Sequence, residues 1–216
     1  MGKGAREKQL IFYYICSMDL KNLFSSITRS LSGGKLNLNN LAGKVESKLQ
    51  SKAKTFTFQA LPADLAALKA LPEAALTDPY ATAALSLLAL GQFQDNKAAS
   101  VEMLDFLKGP DKCSPSELQL ISDRFMDGKF YKVRSFFEGA TPANNYTPSQ
   151  PYTVKVSSTP YSFDNENWAT LYLHSGGSDS PRPVKLRKKP STGQWFLVEI
   201  QYLGDIRTPV AEDKWA

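Results

Sequence analysis

Histidine is almost missing from this chain. His174 stands alone among 216 residues, and only two cysteines, Cys16 and Cys113, occur. One histidine and two distant cysteines leave no zinc-ligand spacing, since zinc sites draw three or four N/S ligands. A histidine–carboxylate iron triad lacks its second histidine. Two isolated cysteines make no disulfide framework. These shortages predict no bound metal and no cofactor.

Long apolar runs are missing as well. The longest near the start, Leu10 to Cys16, has seven residues, against about 20 for a membrane span. Its flank is basic (Lys3, Arg6, Lys8), as in a signal peptide. No small-x-small cleavage site follows, and Ile15 sits where a lipoprotein signal needs a small residue. A cytoplasmic protein is expected. Met18 opens a cleaner start, Met-Asp-Leu-Lys-Asn-Leu-Phe, so residues 1–17 read as a mis-assigned start or an added extension.

What is present is unevenly spread. Residues 1–54 hold ten Lys/Arg against three Asp/Glu, a net of +7, while residues 55–216 are nearly neutral at −2. The basicity belongs to a tail, so the whole-chain charge of +5 is no argument for specific nucleic-acid binding. Leu20, Leu23, Phe24, Ile27 and Leu31 fall on one helical stripe. Leu38, Leu41, Val45 and Leu49 form a weaker one, with Lys44, Lys48 and Lys52 beside it. A basic amphipathic segment over 18–52 implies attachment to an anionic membrane surface or docking to a protein partner. The alternative is a tail that is disordered or folds back on its own domain.

The remainder reads as one globular domain over 55–216: helical 61–138, a connector 139–151, strands 152–216. Thr55-Phe-Thr-Phe58 alternates like a short strand. Pro62, Pro72 and Pro79 each suit a helix first turn, where no amide donor is needed. The helix begun by Asp78-Pro79 is apolar on nearly every side and is expected to be the buried central one. The next, near 96–108, turns Val101, Leu104 and Leu107 inward and stops at Gly109-Pro110. Ser114-Pro-Ser-Glu117 is a capping box for a helix packing Leu118, Ile121 and Phe125. Tyr152–Val156, Trp168–His174, Val184–Lys188 and Gln194–Leu203 read as strands. In the last, Phe196, Val198, Ile200 and Tyr202 are expected on one face. Trp215 suggests a docked C-terminus. Helices followed by strands imply an α+β fold, a helical layer on an antiparallel sheet of about four strands.

Several blocks carry a resemblance: Leu71-Pro-Glu-Ala-Ala-Leu76, Met103-Leu-Asp-Phe-Leu-Lys-Gly-Pro110, Gly139-Ala-Thr-Pro-Ala-Asn-Asn-Tyr-Thr-Pro148, Ser175-Gly-Gly-Ser-Asp-Ser-Pro-Arg-Pro183 and Gly193-Gln-Trp-Phe196. They resemble a bacterial family of domains of unknown function, DUF6935, over about 55–216. The resemblance supplies no activity and no catalytic residues. The element order is also similar to the cone-shaped NTF2-like fold, which hosts both binding modules and enzymes.

Candidate chemistry is sparse. His174, at a strand end before Ser175-Gly-Gly, can serve as a general base with carboxylates such as Glu166 or Asp179. It also fits an ordinary strand-end histidine. Cys113 follows Lys112 at a helix start, where a thiol pKa falls, or is a plain loop cysteine. Arg182, Lys185 and Arg187 beside the Ser175–Arg182 loop suit a small anionic ligand. They equally suit a solvated edge strand. Tyr146 and Tyr152 either touch a ligand or pin the connector, with Phe136 and Phe137, across the helix–sheet junction. The leading expectation is a non-catalytic binding or adaptor module. The alternative is a small-molecule enzyme with a pocket near His174.

Overall fold

A computed structural model describes residues 51–215. Expectations for the tail up to residue 50 lie outside the described residues. Strand β1 (Ala53–Phe58) comes first. Helices α1 (Leu65–Lys69), α2 (Pro79–Gly91), α3 (Lys97–Lys108), α4 (Pro115–Phe125) and α5 (Tyr131–Arg134) follow. Strands β2 (Tyr152–Ser157), β3 (Trp168–Leu173), β4 (Arg182–Lys188) and β5 (Trp195–Ile200) complete it. The class is α+β, with the described helices ahead of four of the five strands of the antiparallel sheet. The described residues lie in one compact unit, Leu49–Ala216.

Local chemistry sets the helix ends. The Asp78 carboxylate accepts from the Tyr80 amide at 3.0 Å, with Pro79 at the first position of α2. Asn96 caps α3, and Ser114 and Glu117 close a reciprocal capping box on α4. Pro72 opens a 3-10 turn, Pro72–Ala75. Pro62 does not open a helix: Asp64 caps α1, because its side chain can accept the Ala67 amide at 2.8 Å. The short α5 carries no cap and no long apolar period, so the sequence did not announce it.

Helix α2 is buried from Tyr80 through Leu90. Its polar side chains are satisfied internally, as burial demands. Ser86 Oγ donates to the Ala83 carbonyl at 2.7 Å and meets Tyr202 Oη at 2.8 Å. Ser100 Oγ of α3 donates to the Ala89 carbonyl at 2.7 Å. Met103, Leu104 and Leu107 face α2 from α3, while Val101 is only half-buried. In α4, Ile121 and Phe125 are buried and Leu118 is partly exposed.

The sheet is a meander in the order β1-β2-β3-β4-β5. It has five strands because β1, although ahead of all the described helices, pairs with β2 from Ala53–Ser157 to Phe58–Tyr152. Val154, Val156, Ala169, Leu171, Leu173, Val184 and Leu186 are buried. Alternation puts them on the helix side. The expected face of β5 is corrected. A register shift between Lys185 and Leu186 sets Leu186 against Leu197 but Lys185 against Glu199. That bulge switches parity, so Leu197 and Ile200 share the inward side and Phe196 does not. Tyr202 lies past the strand end and is buried. Trp215 is 95 % exposed, so the C-terminus does not dock through it.

The β5 edge is closed by the helical layer. Trp195 N donates to the Leu76 carbonyl at 2.7 Å, and Lys108 Nζ donates to the Val198 carbonyl at 3.0 Å. Lys108 is 6 % exposed and pairs with Glu117 at 2.7 Å. Burial pushes the Glu117 carboxyl up, but Lys108 and the Ser114 donors outweigh it and hold it below its usual value of 4.5. A depressed folded pKa contributes stability above the unfolded pKa that is lost as pH falls through the folded one. Glu117→Gln should cost about 1–3 kcal/mol at pH 7, because a buried ammonium loses its charged partner. In urea melts, the gap between wild type and variant should shrink only below about pH 4.5.

Candidate functional site

The residues singled out from sequence do not converge. His174 Nε2 lies 2.8 Å from Ser157 Oγ, on the sheet face turned away from the helices. Burial first, then the Lys155 charge, lowers its pKa, so the ring is neutral near pH 7. A hydroxyl beside a neutral imidazole is half of a nucleophilic pair. The other half is a group that orients the base, and among the described residues no carboxylate bonds His174. Glu166 is exposed in the β2–β3 loop, and Asp179 pairs with Arg207.

The basic cluster is divided by the sheet. Arg182 shares the parity of buried Val184 and Leu186, while Lys185 and Arg187 face the other way. Arg182 Nη2 donates to the Asp205 carbonyl at 2.7 Å, and its Nε is buried without a partner among the described residues. Lys185 pairs with Glu199 at 3.0 Å. Arg187 lies over the Trp168 ring, 5.2 Å from its centroid.

The glycine amides of the Ser175-Gly-Gly loop are not free for an anion. Gly176 N donates to the Ser135 carbonyl at 2.8 Å and Gly177 N to Ser175 Oγ at 3.0 Å. Its glycines serve close packing instead. A Cβ on Gly176 would strike the Ala140 carbonyl, and one on Gly177 the Tyr146 hydroxyl.

Tyr146 is buried, not exposed to a ligand. Its ring stacks on Tyr131 at 5.4 Å, its hydroxyl donates to the Arg207 carbonyl at 2.7 Å, and burial pushes its pKa up to about 12. Phe136 meets Tyr202 and Phe137 meets Tyr152, both edge-on. These aromatics pin the connector across the junction. Cys113 is no activated thiol: burial, against the lowering effect of Lys108, pushes it to about 12. Its amide donates to Asp105 at 2.9 Å. Among the described residues no three His, Cys, Asp or Glu gather at one point.

A cleft of about 380 Å³ opens elsewhere, at the C-terminal end of α2. That volume is in the range of small-ligand sites. Leu90 and Gly91 of α2, Val133 of α5, Phe130 and Phe137 form much of its apolar wall. Pro148 of the connector and Tyr152 at the head of β2 border it. Gln94, Asp95 and Arg134 supply the polar groups. Arg134 has no ion-pair partner among the described residues. The sequence signal for it was faint: Arg134 is the one exposed residue between buried Val133 and buried Ser135-Phe136-Phe137. The lining includes no serine, cysteine, histidine or lysine.

Residues 60–210 match the family described as a domain of unknown function, DUF6935. The chain belongs to the DUF6935 family. The match starts after β1 and spans the five described α-helices and strands β2 to β5. No curated protein and no solved structure matches the chain, and the NTF2-like likeness is not confirmed by them. Both Pro148 and Tyr152, which border the cleft of this DUF6935 domain, fall within the matched residues.

With a single imidazole in the chain, proton NMR reads His174 without assignment. Its midpoint should lie below 6.5. Lys155→Ala should move it up part of the way. The depressed value makes neutral His174 contribute stability above pH 6.5, lost as pH falls through the folded pKa.

Proposed function

We propose that this DUF6935 protein is a non-catalytic binding module of the bacterial cytoplasm, and that the cleft beside α5 is its ligand site. One observation carries the reading: a cleft lined by both apolar and polar groups presents Arg134, a guanidinium with no ion pair among the described residues, and its lining includes no serine, cysteine, histidine or lysine. Arg holds carboxylate or phosphate groups by paired N–H donors. The apolar wall takes a hydrocarbon or aromatic body. The ligand class is a small amphipathic anion. The anion site thus moves from the Arg182–Arg187 surface, where the cations are paired or split between faces, to Arg134. Pinned aromatics hold the cleft wall in place, which lowers the entropy cost of binding.

4-Phenylbutyrate and its uncharged alcohol analogue, titrated by ligand-observed NMR, test this. The carboxylate should bind more tightly, and Arg134→Ala should weaken it by about tenfold, the loss of one charge-assisted contact, without changing the alcohol. Equal binding of both compounds by both proteins rejects the reading.

The basic segment over 18–52 supplies recruitment in this proposal, with each Lys or Arg contributing about 1 kcal/mol near anionic lipid. Vesicles of phosphatidylserine and phosphatidylcholine should float the full chain at low salt and leave a 55–216 truncation behind. Full chain that stays with the soluble fraction confines recruitment to a protein partner.

A further inference from the structure

We propose that the second edge of β1 pairs with the same edge of another copy of this chain. In an antiparallel ladder, alternate residues turn their N–H and C=O toward the neighbouring strand and the rest turn away. The bonds around β1 and β2 fix which set is which. Ser158 N donates to the Lys52 carbonyl at 2.7 Å, so Lys52 and the even-numbered positions after it face β2. The carbonyls of Thr153 and Lys155 accept from Glu138 N at 2.9 Å and His174 N at 3.1 Å, on the side of β2 away from β1. Their cross-strand partners are Thr57 and Thr55. Ala53, Thr55 and Thr57 therefore aim their N–H and C=O groups out of the sheet. Among the described residues no strand receives them.

The two edges of this sheet are treated differently. β5 carries a bulge and is capped by Lys108 and the Leu76 carbonyl. Bulges, charges and covering elements are how proteins block edge pairing. β1 has no bulge, proline or glycine. Its one charge, Lys54, is bound to Asp78 at 2.6 Å and lies 4.9 Å over the Tyr80 ring.

Self-complementarity selects the occupant. A two-fold axis at Thr55 sets Thr55 against itself and Ala53 against Thr57. All three outward residues then fall in hydrogen-bonded pairs, roughly six new bonds. Thr–Thr neighbours across strands are favourable. Lys54 meets Phe56 of the second copy, so no like charges face each other. An edge built to read a foreign peptide flanks it with side-chain pockets; Ala53, Thr55 and Thr57 offer a flat row of small groups. One short strand pair buries less than the roughly 1,200 Å² of a stable complex, so the association is weak and concentration-dependent.

Sedimentation velocity of the full chain, from about 10 to 500 µM, a range suited to weak association, should show mass rising from monomer toward dimer. Thr55→Pro removes only the outward N–H and leaves the ladder with β2 intact. It should weaken association by at least about tenfold, roughly the 1.4 kcal/mol of one or two lost bonds, with unchanged far-UV circular dichroism. Thr55→Val, which keeps the N–H, should associate like wild type. If the proline variant loses structure, Thr55→Lys replaces it, since it sets like charges opposite each other, and the same loss is expected. Monomeric mass at every concentration overturns the proposal and leaves the edge to the chain's own tail or a foreign strand. Dimers that persist in both the proline and lysine variants overturn it as well.

Discussion

The whole architecture depends on covering helix α2. From Tyr80 to Leu90 no residue of it is left to water. A cylinder that is apolar all round cannot be buried by a single layer, so it needs walls on every side. The sheet supplies one, with all five strands packed against it through inward side chains such as Phe58, Val154, Leu171, Val184 and Leu197. Helices α3 and α5 and the turn at Pro72–Ala75 supply others. Each Å² of apolar area kept from water contributes about 25 cal/mol. Exposing one flank of α2 would therefore weaken every other contact in the core. Polar groups buried against this helix are bonded: Ser86 meets Tyr202, and Ser100 donates to the Ala89 carbonyl.

Much of this was legible in the sequence because the signals are local. Asp78-Pro79 and the Ser114–Glu117 box name helix starts by their own side-chain geometry. The all-round apolar run of α2 announced its burial. What was not legible depends on partners far away in the chain. The parity switch in β5 comes from a one-residue register shift against β4, which no alternation within β5 reveals. Thr55–Phe58 reads as a short strand, but its place in the sheet does not, because its partner β2 lies beyond all the described helices.

The candidate site was less legible for a related reason. Residue type flagged His174, Arg182, Lys185 and Arg187, but function needs convergence, and strand parity sends Arg182 to one side and its neighbours to the other. The connector was flagged as either ligand-touching or structural, and it is divided: Tyr146 is interior, while Pro148 and Tyr152 border the cleft. Arg134 went unmarked because its importance lies in what surrounds it, a cleft assembled from four separate stretches of chain.

The position of β1 has a consequence for synthesis. Ala53 is opposite Ser157, about 100 residues later in the chain. At roughly 5–20 residues added per second, that delay is about 5–20 s. During that interval Phe56 and Phe58 have left the ribosome with no strand to lie beside, while the helices between them and their partner are already made. β1 thus waits through all the described helices for its partner, and once β2 is made the sheet can be completed in chain order, β3, β4 and β5 each adding beside the strand before it.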